Sequence, residues 1–254
     1  MIVTKIKGGL GNQLFQWAAG RGLSLKYKTE HYCELSYFKK IKESRDPLGL
    51  TNFKNVKVNP YLHNSELTMI NDTFNFQEIK NNSFLDGFWQ TEKYFQEYKN
   101  IIKQDLAIDP VMLDYILQKY PGINENSIAI HVRRGNYIER ADEFPPQTIE
   151  YYNAGYDAIN QSNANVYVVS NAIDWCKENI KFKNIHYVEN ETHFVDLYIM
   201  SLCKHNIIAN SSFSWWGGWL NDNPNKIVIA PKNWFGPAQN LSTADIRPLT
   251  WIQI

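Results

Sequence analysis

Short apolar segments alternate with helical segments through the second half of the chain, from residue 127 to residue 231. The apolar segments do not alternate with polar residues, which is typical of strands that helices cover on both faces of a parallel sheet. In chain order they are SIAIHV, NVYVVS, IHYVE, NIIANS and KIVIAP. This pattern predicts an α/β fold, because strands joined by helices assemble into a layered parallel sheet.

The same order of elements begins at the N-terminus. A strand-like segment, IVTKI, is followed by glycine-rich KGGLGNQ, a helical segment and a second strand-like segment, HYCEL. Residues 39–79 lack a clear periodicity, and we expect them to be rich in loops. Residues 121–124, which include a proline and a glycine, are the best candidate for a linker. We therefore predict two α/β halves, residues 1–123 and 124–254, with a ligand crevice between them.

Composition and charge argue against several classes of function. The 254 residues carry 26 basic and 26 acidic side chains, so no long-range field attracts nucleic acid or an anionic membrane. No segment approaches the roughly 18 apolar residues that span a bilayer, and the N-terminus lacks the pattern of a signal peptide. We expect a cytoplasmic protein. The absence of Asp-x-Asp, paired cysteines and His-x-x-x-His gives no support for a metal site.

The glycine-rich segment between the first strand and the first helix lets a ligand approach the backbone. The dinucleotide-binding fingerprint G-x-G-x-x-G requires a third glycine where this chain has Leu14. Glu34 does lie at a suitable distance to contact a ribose. A dinucleotide oxidoreductase is therefore the weakest alternative, and a tight turn whose glycines only permit a positive φ explains the segment as well.

Two adjacent arginines follow the apolar segment SIAIHV. Because side chains alternate along a strand, we expect His131 and Arg133 on one face and Arg134 on the other. The carboxyl end of a parallel strand borders the ligand crevice of an open α/β sheet. Two guanidinium groups there suit a diphosphate, since their planar forks match phosphate oxygens in pairs. The alternative is a solvated pair at the end of a strand.

The segment NIIANSSFSWWGGWLN predicts a strand, a turn at residues 210–212 and a helix. Asn and Ser are favoured at helix N-termini, where backbone amides and hydroxyls can hold a phosphate. The tryptophans recur at helical spacing, and we expect them to pack in the core. Upstream, Asp196 lies near the start of an apolar helix. It either complements the helix dipole or accepts two hydrogen bonds from a guanine edge.

Five segments together resemble the bacterial alpha-1,2-fucosyltransferases, glycosyltransferase family 11. In chain order they are GGLGNQLFQWAAGRGL, GFWQTEKYF, HVRRGNY, DLYIMSLCKHNIIANSSFSWWGGWLN and IVIAPKNWF. The resemblance implies a GT-B fold of two Rossmann-like domains, with an acceptor-side domain at 1–123 and a GDP-fucose-binding domain at 124–254. It further implies GDP-β-L-fucose as the donor substrate, inversion at the anomeric carbon, and no required metal or other cofactor. The implied acceptor is a galactose-ended oligosaccharide or glycolipid, with at most peripheral contact at the inner face of the membrane.

The family's His-x-Arg-Arg-x-Asp block falls on residues 131–136. The resemblance implies that Arg133 is the main diphosphate ligand, and it places Asn12 and Asn136 at the other catalytic positions. The positions implied to bind the donor are Gly9, Gly11, His131, Arg134, Asp196, Asn210, Ser211, Ser212 and Phe213. The candidates for the acceptor site are Trp89, Gln90 and Tyr94, although packing explains the two aromatic residues equally well.

Amides stand at two places where the family often has an acid. Asn136 replaces the aspartate of the arginine block, and Ser170-Asn171-Ala172 replaces Ser-Asp-Asp. An amide holds geometry by hydrogen bonding but cannot accept a proton at neutral pH. Other carboxylates that could act as the base are Glu34, Glu139 and Asp142. The alternatives left open are transfer from another nucleotide sugar and a non-catalytic protein that binds a sugar nucleotide.

Overall fold

The computed structural model describes residues 1–40, 48–61, 66–123 and 126–254, with the side chains of residues 39 and 40 excepted. The chain divides into two compact units. Unit 1 comprises Met1–Asp109 and Leu241–Pro248, and unit 2 comprises Pro110–Asn240 and Leu249–Ile254. Both units have the α/β architecture that the sequence predicts. Within the described residues, no helix is both long enough and apolar enough to span a membrane.

Unit 1 is built on a parallel sheet of four strands in the order β2-β1-β4-β3. The strands are β1 (Ile2–Lys5), β2 (His31–Glu34), β3 (Thr68–Asn71) and β4 (Ser83–Asp86). Its helices are α1 (Leu10–Tyr27), α2 (Ser36–Lys40) and α3 (Lys99–Asp105). Since β2 lies on one side of β1 and β4 on the other, the strand order reverses between β1 and β4.

Strand β3 corrects the prediction of loops over residues 39–79. It is an edge strand that pairs only with β4 among the described strands, and most of its residues are exposed. A short exposed strand needs no run of apolar residues, so its sequence shows no strand pattern. The parts of the predicted loop region at 41–47 and 62–65 lie outside the described residues.

Unit 2 is built on a parallel sheet of six strands in the order β10-β9-β8-β5-β6-β7. The strands are β5 (Ser127–Val132), β6 (Asn165–Ser170), β7 (Asn184–Tyr187), β8 (His205–Ile207), β9 (Val228–Ala230) and β10 (Ile252–Gln253). The helices are α4 (Pro110–Lys119), α5 (Asn136–Glu139), α6 (Ile149–Ile159), α7 (Ile173–Asn179), α8 (His193–Leu202) and α9 (Ser212–Leu220).

The sequence pattern correctly places strands β5 to β9 and helices α4 and α6 to α9 of unit 2, but it does not predict α5 and β10, which are short and contain no buried residue. Every residue of β5 is buried, as expected for a strand that helices cover on both faces. The hydroxyls of Thr148 and Thr192 cap α6 and α8 by accepting hydrogen bonds from backbone amides one turn later. The tryptophans of α9 pack in the core as predicted, since Trp215 and Trp216 have no exposed surface.

The boundary between the units lies earlier than the sequence suggests. The prediction divides the chain after residue 123, whereas the structure assigns residues 110–123 to unit 2 and residues 241–248 to unit 1. Helix α4 packs against α8, and Lys119 and Tyr120 bond to Glu191 in the loop before α8. These contacts within unit 2 outweigh the proline and glycine that mark residues 121–124 as a break. Asn124 itself lies outside the described residues.

Candidate functional site

The strand order of unit 2 reverses between β5 and β8. The chain continues from β5 to β6 on one side, while β8, β9 and β10 lie on the other. In open α/β sheets, ligands bind at the carboxyl ends of the strands at such a reversal. The arginine pair follows β5, and the turn at residues 210–212, here called the serine turn, follows β8. Both segments that the sequence predicts to bind phosphate therefore lie at this reversal.

Two contacts join these two segments, and a third holds the serine turn to the loop before α6. The ring of His131 lies 5.5 Å from the ring of Phe213, measured between centroids. The Tyr137 hydroxyl donates to the backbone carbonyl of Asn210 over 3.2 Å, across 73 positions of the chain. The side chain of Gln147 donates to the Asn210 amide oxygen, also over 3.2 Å. The fold therefore brings together segments that are distant in the sequence to form one side of the candidate site.

Arg133 lies just beyond the end of β5, in the turn that leads to α5. Its Nη2 donates to Oδ1 of Asn136 over 2.9 Å, and its guanidinium lies 5.2 Å from the centre of the Tyr137 ring. Because β5 ends at Val132, the expected alternation of faces does not extend to the arginines. The local turn orients Arg133, and the amide oxygen of Asn136 faces a cation.

Arg134 is held by a different set of contacts. Its guanidinium carbon lies 3.9 Å from the ring centre of Trp175, and its backbone N–H donates to Oδ1 of Asn171 over 3.0 Å. The next residue, Gly135, has a φ of +46°, and a Cβ there would come within 2.3 Å of the Asn171 side chain. Only glycine fits this turn without strain. The sequence showed Asn171 as a departure from the family but not its contact with Arg134.

His131 is buried at the end of β5. Burial lowers the pKa of its imidazole to about 3, and the nearby charge of Arg133 acts in the same direction. The ring is therefore neutral at physiological pH and adds no positive charge to the site. Its Nδ1 atom is buried and has no hydrogen-bond partner among the residues that the structure describes.

Asp196 lies in the first turn of α8, where Thr192 caps the helix. Burial raises the pKa of its carboxyl group to about 7, and the charge of Glu191 adds to the effect. Glu191 is itself fixed by Lys119 and Tyr120, through hydrogen bonds of 2.5 and 2.8 Å. Near neutral pH, the Asp196 carboxyl group is thus divided between its protonated and ionised forms.

The serine turn contains both structural and accessible groups. The Asn210 side chain is used within the fold, because its Nδ2 donates to the Trp234 carbonyl and its oxygen accepts from Gln147. Ser211 is the N-cap of α9 but makes no capping hydrogen bond with its side chain within the described structure. Ser212 and Phe213 are partly exposed in the first turn of this helix. The predicted phosphate-binding positions therefore surround a helix N-terminus.

The strand reversal of unit 1 brings together the glycine-rich turn after β1 and the loop after β4. Gly9 has an extended backbone and is the N-cap of α1, whereas Gly11 is buried inside that helix. Asn12 lies in the first turn of α1, and its Oδ1 accepts a hydrogen bond of 2.8 Å from Nε2 of Gln90. Two predicted site residues, Asn12 and Gln90, are thus in direct contact.

The aromatic candidates for the acceptor site are buried. Trp89 has no exposed surface, and Tyr94 is 5% exposed. The backbone carbonyl of Tyr94 packs against α1 at Gly22, ten residues beyond Asn12, which corresponds to about 15 Å along a helix axis. The structure therefore favours packing over sugar stacking as the explanation for both rings. Of the three candidates, only Gln90 lies beside Asn12.

The candidate bases differ in their surroundings. The Glu34 carboxylate accepts hydrogen bonds of 2.6 and 3.0 Å from the backbone N–H and the hydroxyl of Ser36, so it caps the start of α2. Glu139 and Asp142 are exposed, in and just after α5. In the described part of the chain, no three His, Cys, Asp or Glu side chains are grouped in a way that could hold a metal ion.

Comparison with known proteins extends over the whole chain. The sequence matches Glycosyl transferase family 11 over residues 1–254. It is 29% identical to an Alpha-1,2-colitosyltransferase of Escherichia coli, over all of this chain and 99% of that protein. It is 28% identical to the O-antigen biosynthesis glycosyltransferase WbnK of Escherichia coli, over 98% of this chain and 99% of that protein. The match to human Galactoside alpha-(1,2)-fucosyltransferase 1 is 26% identical and covers 37% of this chain and 28% of that protein.

Solved structures with little sequence identity share the fold. Fucosyltransferase NodZ from Bradyrhizobium has a TM-score of 0.57 and 12% identity, covering 85% of this chain and 91% of that chain. ADP-heptose lps heptosyltransferase II of E. coli has a TM-score of 0.51 and 10% identity, covering 100% and 89%. The predicted GT-B class of fold is confirmed. Together with the match along its entire length, these findings establish that the chain belongs to glycosyl transferase family 11.

Proposed function

We propose that this glycosyltransferase moves L-fucose from GDP-β-L-fucose to a sugar hydroxyl, the 2-hydroxyl of a galactoside, with inversion and without a metal ion. The observation that carries the proposal is the meeting of the arginine turn and the serine turn at the strand reversal of unit 2. A diphosphate bound there would contact guanidinium groups from one side and the N-terminus of α9 from the other.

The proposed reaction is a single displacement. The acceptor oxygen forms a bond to the anomeric carbon, the bond from that carbon to the diphosphate breaks, and the electron pair leaves with GDP. Negative charge grows on the diphosphate during this step. Arg133, oriented by Asn136 and Tyr137, would therefore bind the transition state more tightly than the ground state.

Asp196 is proposed to recognise the guanine base. An ionised carboxylate can accept hydrogen bonds from two adjacent N–H groups on the guanine edge. The group is half-buried and its pKa is raised to about 7, which is typical of functional sites more than of surface carboxylates. Binding such donors would offset the cost of ionising it.

Asn136 is proposed to orient Arg133 rather than to move a proton. Its oxygen faces the guanidinium, and an amide cannot act as a base at neutral pH. An oxocarbenium-like transition state lowers the demand for a strong base, because the anomeric carbon becomes electrophilic before the acceptor loses its proton. Glu139 and Asp142 remain candidates to take that proton.

A second donor is favoured by one specific observation. The E. coli relative at 29% identity is named as a colitosyltransferase, and colitose is L-fucose without its 3-hydroxyl group. GDP-colitose therefore shares the guanine, the diphosphate and most of the sugar with GDP-fucose. The unit 2 residues described above would bind the nucleotide of either donor in the same way.

Product analysis tests the proposal. The enzyme is incubated with GDP-fucose, GDP-colitose, GDP-mannose or UDP-galactose and an array of galactose-ended acceptors, and products are measured by mass spectrometry and linkage analysis. We expect fucosylated products with a 1,2-linkage. Transfer from GDP-colitose alone would replace the donor, transfer from UDP-galactose would contradict the guanine assignment, and GDP-fucose binding without any product would indicate a non-catalytic protein.

A further inference from the structure

We propose that Asp72 and Gln90 are positioning residues that orient the amide of Asn12, so that its Nδ2 is the group offered to a substrate oxygen. The identity of that substrate rests on the proposed function, whereas the positioning rests on the geometry of unit 1 alone. Nothing in the sequence pattern marks Asp72, which lies immediately after the exposed strand β3.

Asp72 anchors the loop that follows β4. Its Oδ1 accepts a hydrogen bond of 2.9 Å from the backbone N–H of Phe74. Its Oδ2 accepts from the backbone N–H groups of Phe88 and Trp89, over 3.0 and 2.9 Å. Hydrogen bonds to an ionised carboxylate are stronger than neutral ones. One side chain thus ties β3 to the loop at residues 87–90.

This loop adopts a conformation that needs such support. A Cβ at position 87 would come within 2.1 Å of the Asp72 Cβ, so the close approach requires Gly87. Trp89 has a φ of +56°, in the left-handed region that is unfavourable for a bulky side chain. The bonds from Asp72 and the burial of the Trp89 ring hold the backbone there. As a result, the backbone is held in place at the next residue, Gln90, from which the side chain extends.

The Gln90 side chain, held in this way, orients the side chain of Asn12. Its Nε2 donates to Asn12 Oδ1 over 2.8 Å, so the oxygen of the Asn12 amide is engaged. The Asn12 Nδ2 lies over Gly8, 3.1 Å from the place where a Cβ would stand. Asn12 remains partly exposed at the carboxyl end of β1, where ligands of such sheets bind. An amide held by its oxygen presents its two N–H donors.

The ligand of these donors is an oxygen atom, either the acceptor hydroxyl or the leaving diphosphate. Two variants of Gln90 test the orientation. In Gln90→Glu, the carboxylate can only accept, so it captures Asn12 Nδ2 and removes it from the substrate. In Gln90→Met, the hydrogen bond is lost but the shape is kept, so Asn12 can still turn its donors outward.

We expect kcat/KM for the acceptor to fall about tenfold or more in Gln90→Glu, and roughly threefold in Gln90→Met. A Met variant as impaired as the Glu variant, or more impaired, would overturn the orientation. If the loss in Gln90→Glu appears in the KM of the acceptor while GDP affinity is unchanged, the oxygen belongs to the acceptor. If GDP affinity falls instead, it belongs to the diphosphate.

A measurement without substrate tests the role of Asp72. Glutamine side-chain amides are labelled with ¹⁵N, and the Gln90 resonance is identified by its absence in Gln90→Met. We expect the Gln90 amide to exchange with solvent at least about tenfold more slowly than an exposed amide, and to lose that protection in Asp72→Asn. Asp105→Asn, which removes a partly buried carboxylate paired with Arg21, is the control and should leave the Gln90 resonance protected.

An unprotected Gln90 amide in the wild type, or protection that persists in Asp72→Asn, would overturn the positioning role. This result does not depend on activity. If the wild type transferred no fucose but the Gln90 amide behaved as expected, the proposed function would fail while the positioning of Asn12 would stand.

Discussion

The two units both orient a candidate functional side chain at a strand reversal, but they do so with different chemical groups. Each has a strand reversal beside its first strand, and in each an amide side chain orients the candidate functional group. In unit 1 that group is a neutral amide, Asn12. The Asp72 carboxylate accepts hydrogen bonds from the backbone N–H groups of the loop that carries Gln90, and Gln90 contacts Asn12. In unit 2 the groups are guanidiniums, which lie against the rings of Tyr137 and Trp175, and that of Arg133 also donates to an amide oxygen. Partners of these kinds orient a cation without neutralising it, so the candidate group of unit 2 keeps its charge, whereas that of unit 1 acts through directional hydrogen bonds.

The largest effect is expected from removing the charge at residue 133. We expect Arg133→Ala to lower kcat/KM by roughly 10²- to 10³-fold, as for the loss of a group that stabilises developing negative charge. The measurement is steady-state release of GDP in the presence of acceptor. Arg140→Ala is the matched control, because Arg140 is an exposed residue of unit 2 that pairs with Glu143 and stacks on Phe144. Near-normal turnover in Arg133→Ala would show that the charge of Arg133 is not used in the reaction.

The next effect comes from the titration of Asp196. Its pKa of about 7 means that guanine must bind a carboxylate that is mostly protonated at pH 6. We therefore expect the Kd for GDP to rise about tenfold for each pH unit below 7, with a proton released on binding. Isothermal titration calorimetry between pH 5.5 and 8, in buffers of different ionisation enthalpy, measures both quantities. Ionisation of the GDP phosphate affects the wild type and Asp196→Asn equally. The variant should therefore lose only the part of the pH dependence that comes from Asp196. An identical pH dependence in the variant would separate Asp196 from the guanine.

Folding stability provides a check on Asp196 that requires no ligand. Because the folded protein binds this proton more tightly than the unfolded chain, ionisation of Asp196 destabilises the fold as the pH rises from about 4 to 7. We expect Asp196→Asn to have a higher Tm than the wild type at pH 8, and the difference to disappear near pH 4. Equal Tm values at both pH values would mean that the site does not penalise the charge.

A smaller effect is expected from substitutions of Asn136. Its hydrogen bond to Arg133 predicts that Asn136→Ala loses roughly tenfold in kcat/KM through disorder of the guanidinium. Asn136→Asp keeps the contact but introduces a negative charge beside the diphosphate, so we expect weaker GDP binding and no gain in turnover. The Kd for GDP and the kcat of both variants are compared with the wild type. A large gain in kcat for Asn136→Asp would identify this position as the base and contradict the orienting role.

The smallest effect is expected from chelation. If the charge at the donor site is supplied by side chains and backbone amides, an excess of EDTA should leave kcat and Tm unchanged. The same assay is repeated with added Mg²⁺ or Mn²⁺. A loss of activity that either ion restores would show that the cationic groups of unit 2 are not sufficient.

The sequence predicts a region correctly when neighbouring residues determine its structure, and it fails when contacts between distant residues determine it. The strand before the arginines, the serine turn and helices α8 and α9 depend on short-range periodicity and caps, and the sequence predicts them correctly. Strand β3 depends on its pairing with β4, and the assignment of α4 to unit 2 depends on α8 and Glu191. The burial of Trp89 and Tyr94 depends on how α1 packs, so their residue types alone suggested a sugar site as readily as a core.

The α/β architecture, the family and the segments that carry polar groups follow from the sequence alone, because periodicity and motifs are properties of neighbouring residues. The tertiary structure decided which of those groups meet. Asn12 and Gln90 are 78 positions apart, and Tyr137 and Asn210 are 73 apart. It also decided which groups keep their charge, since the low pKa of His131 and the raised pKa of Asp196 come mainly from burial. Burial and long-range contacts arise only when the strands and helices pack, so no local pattern contains them.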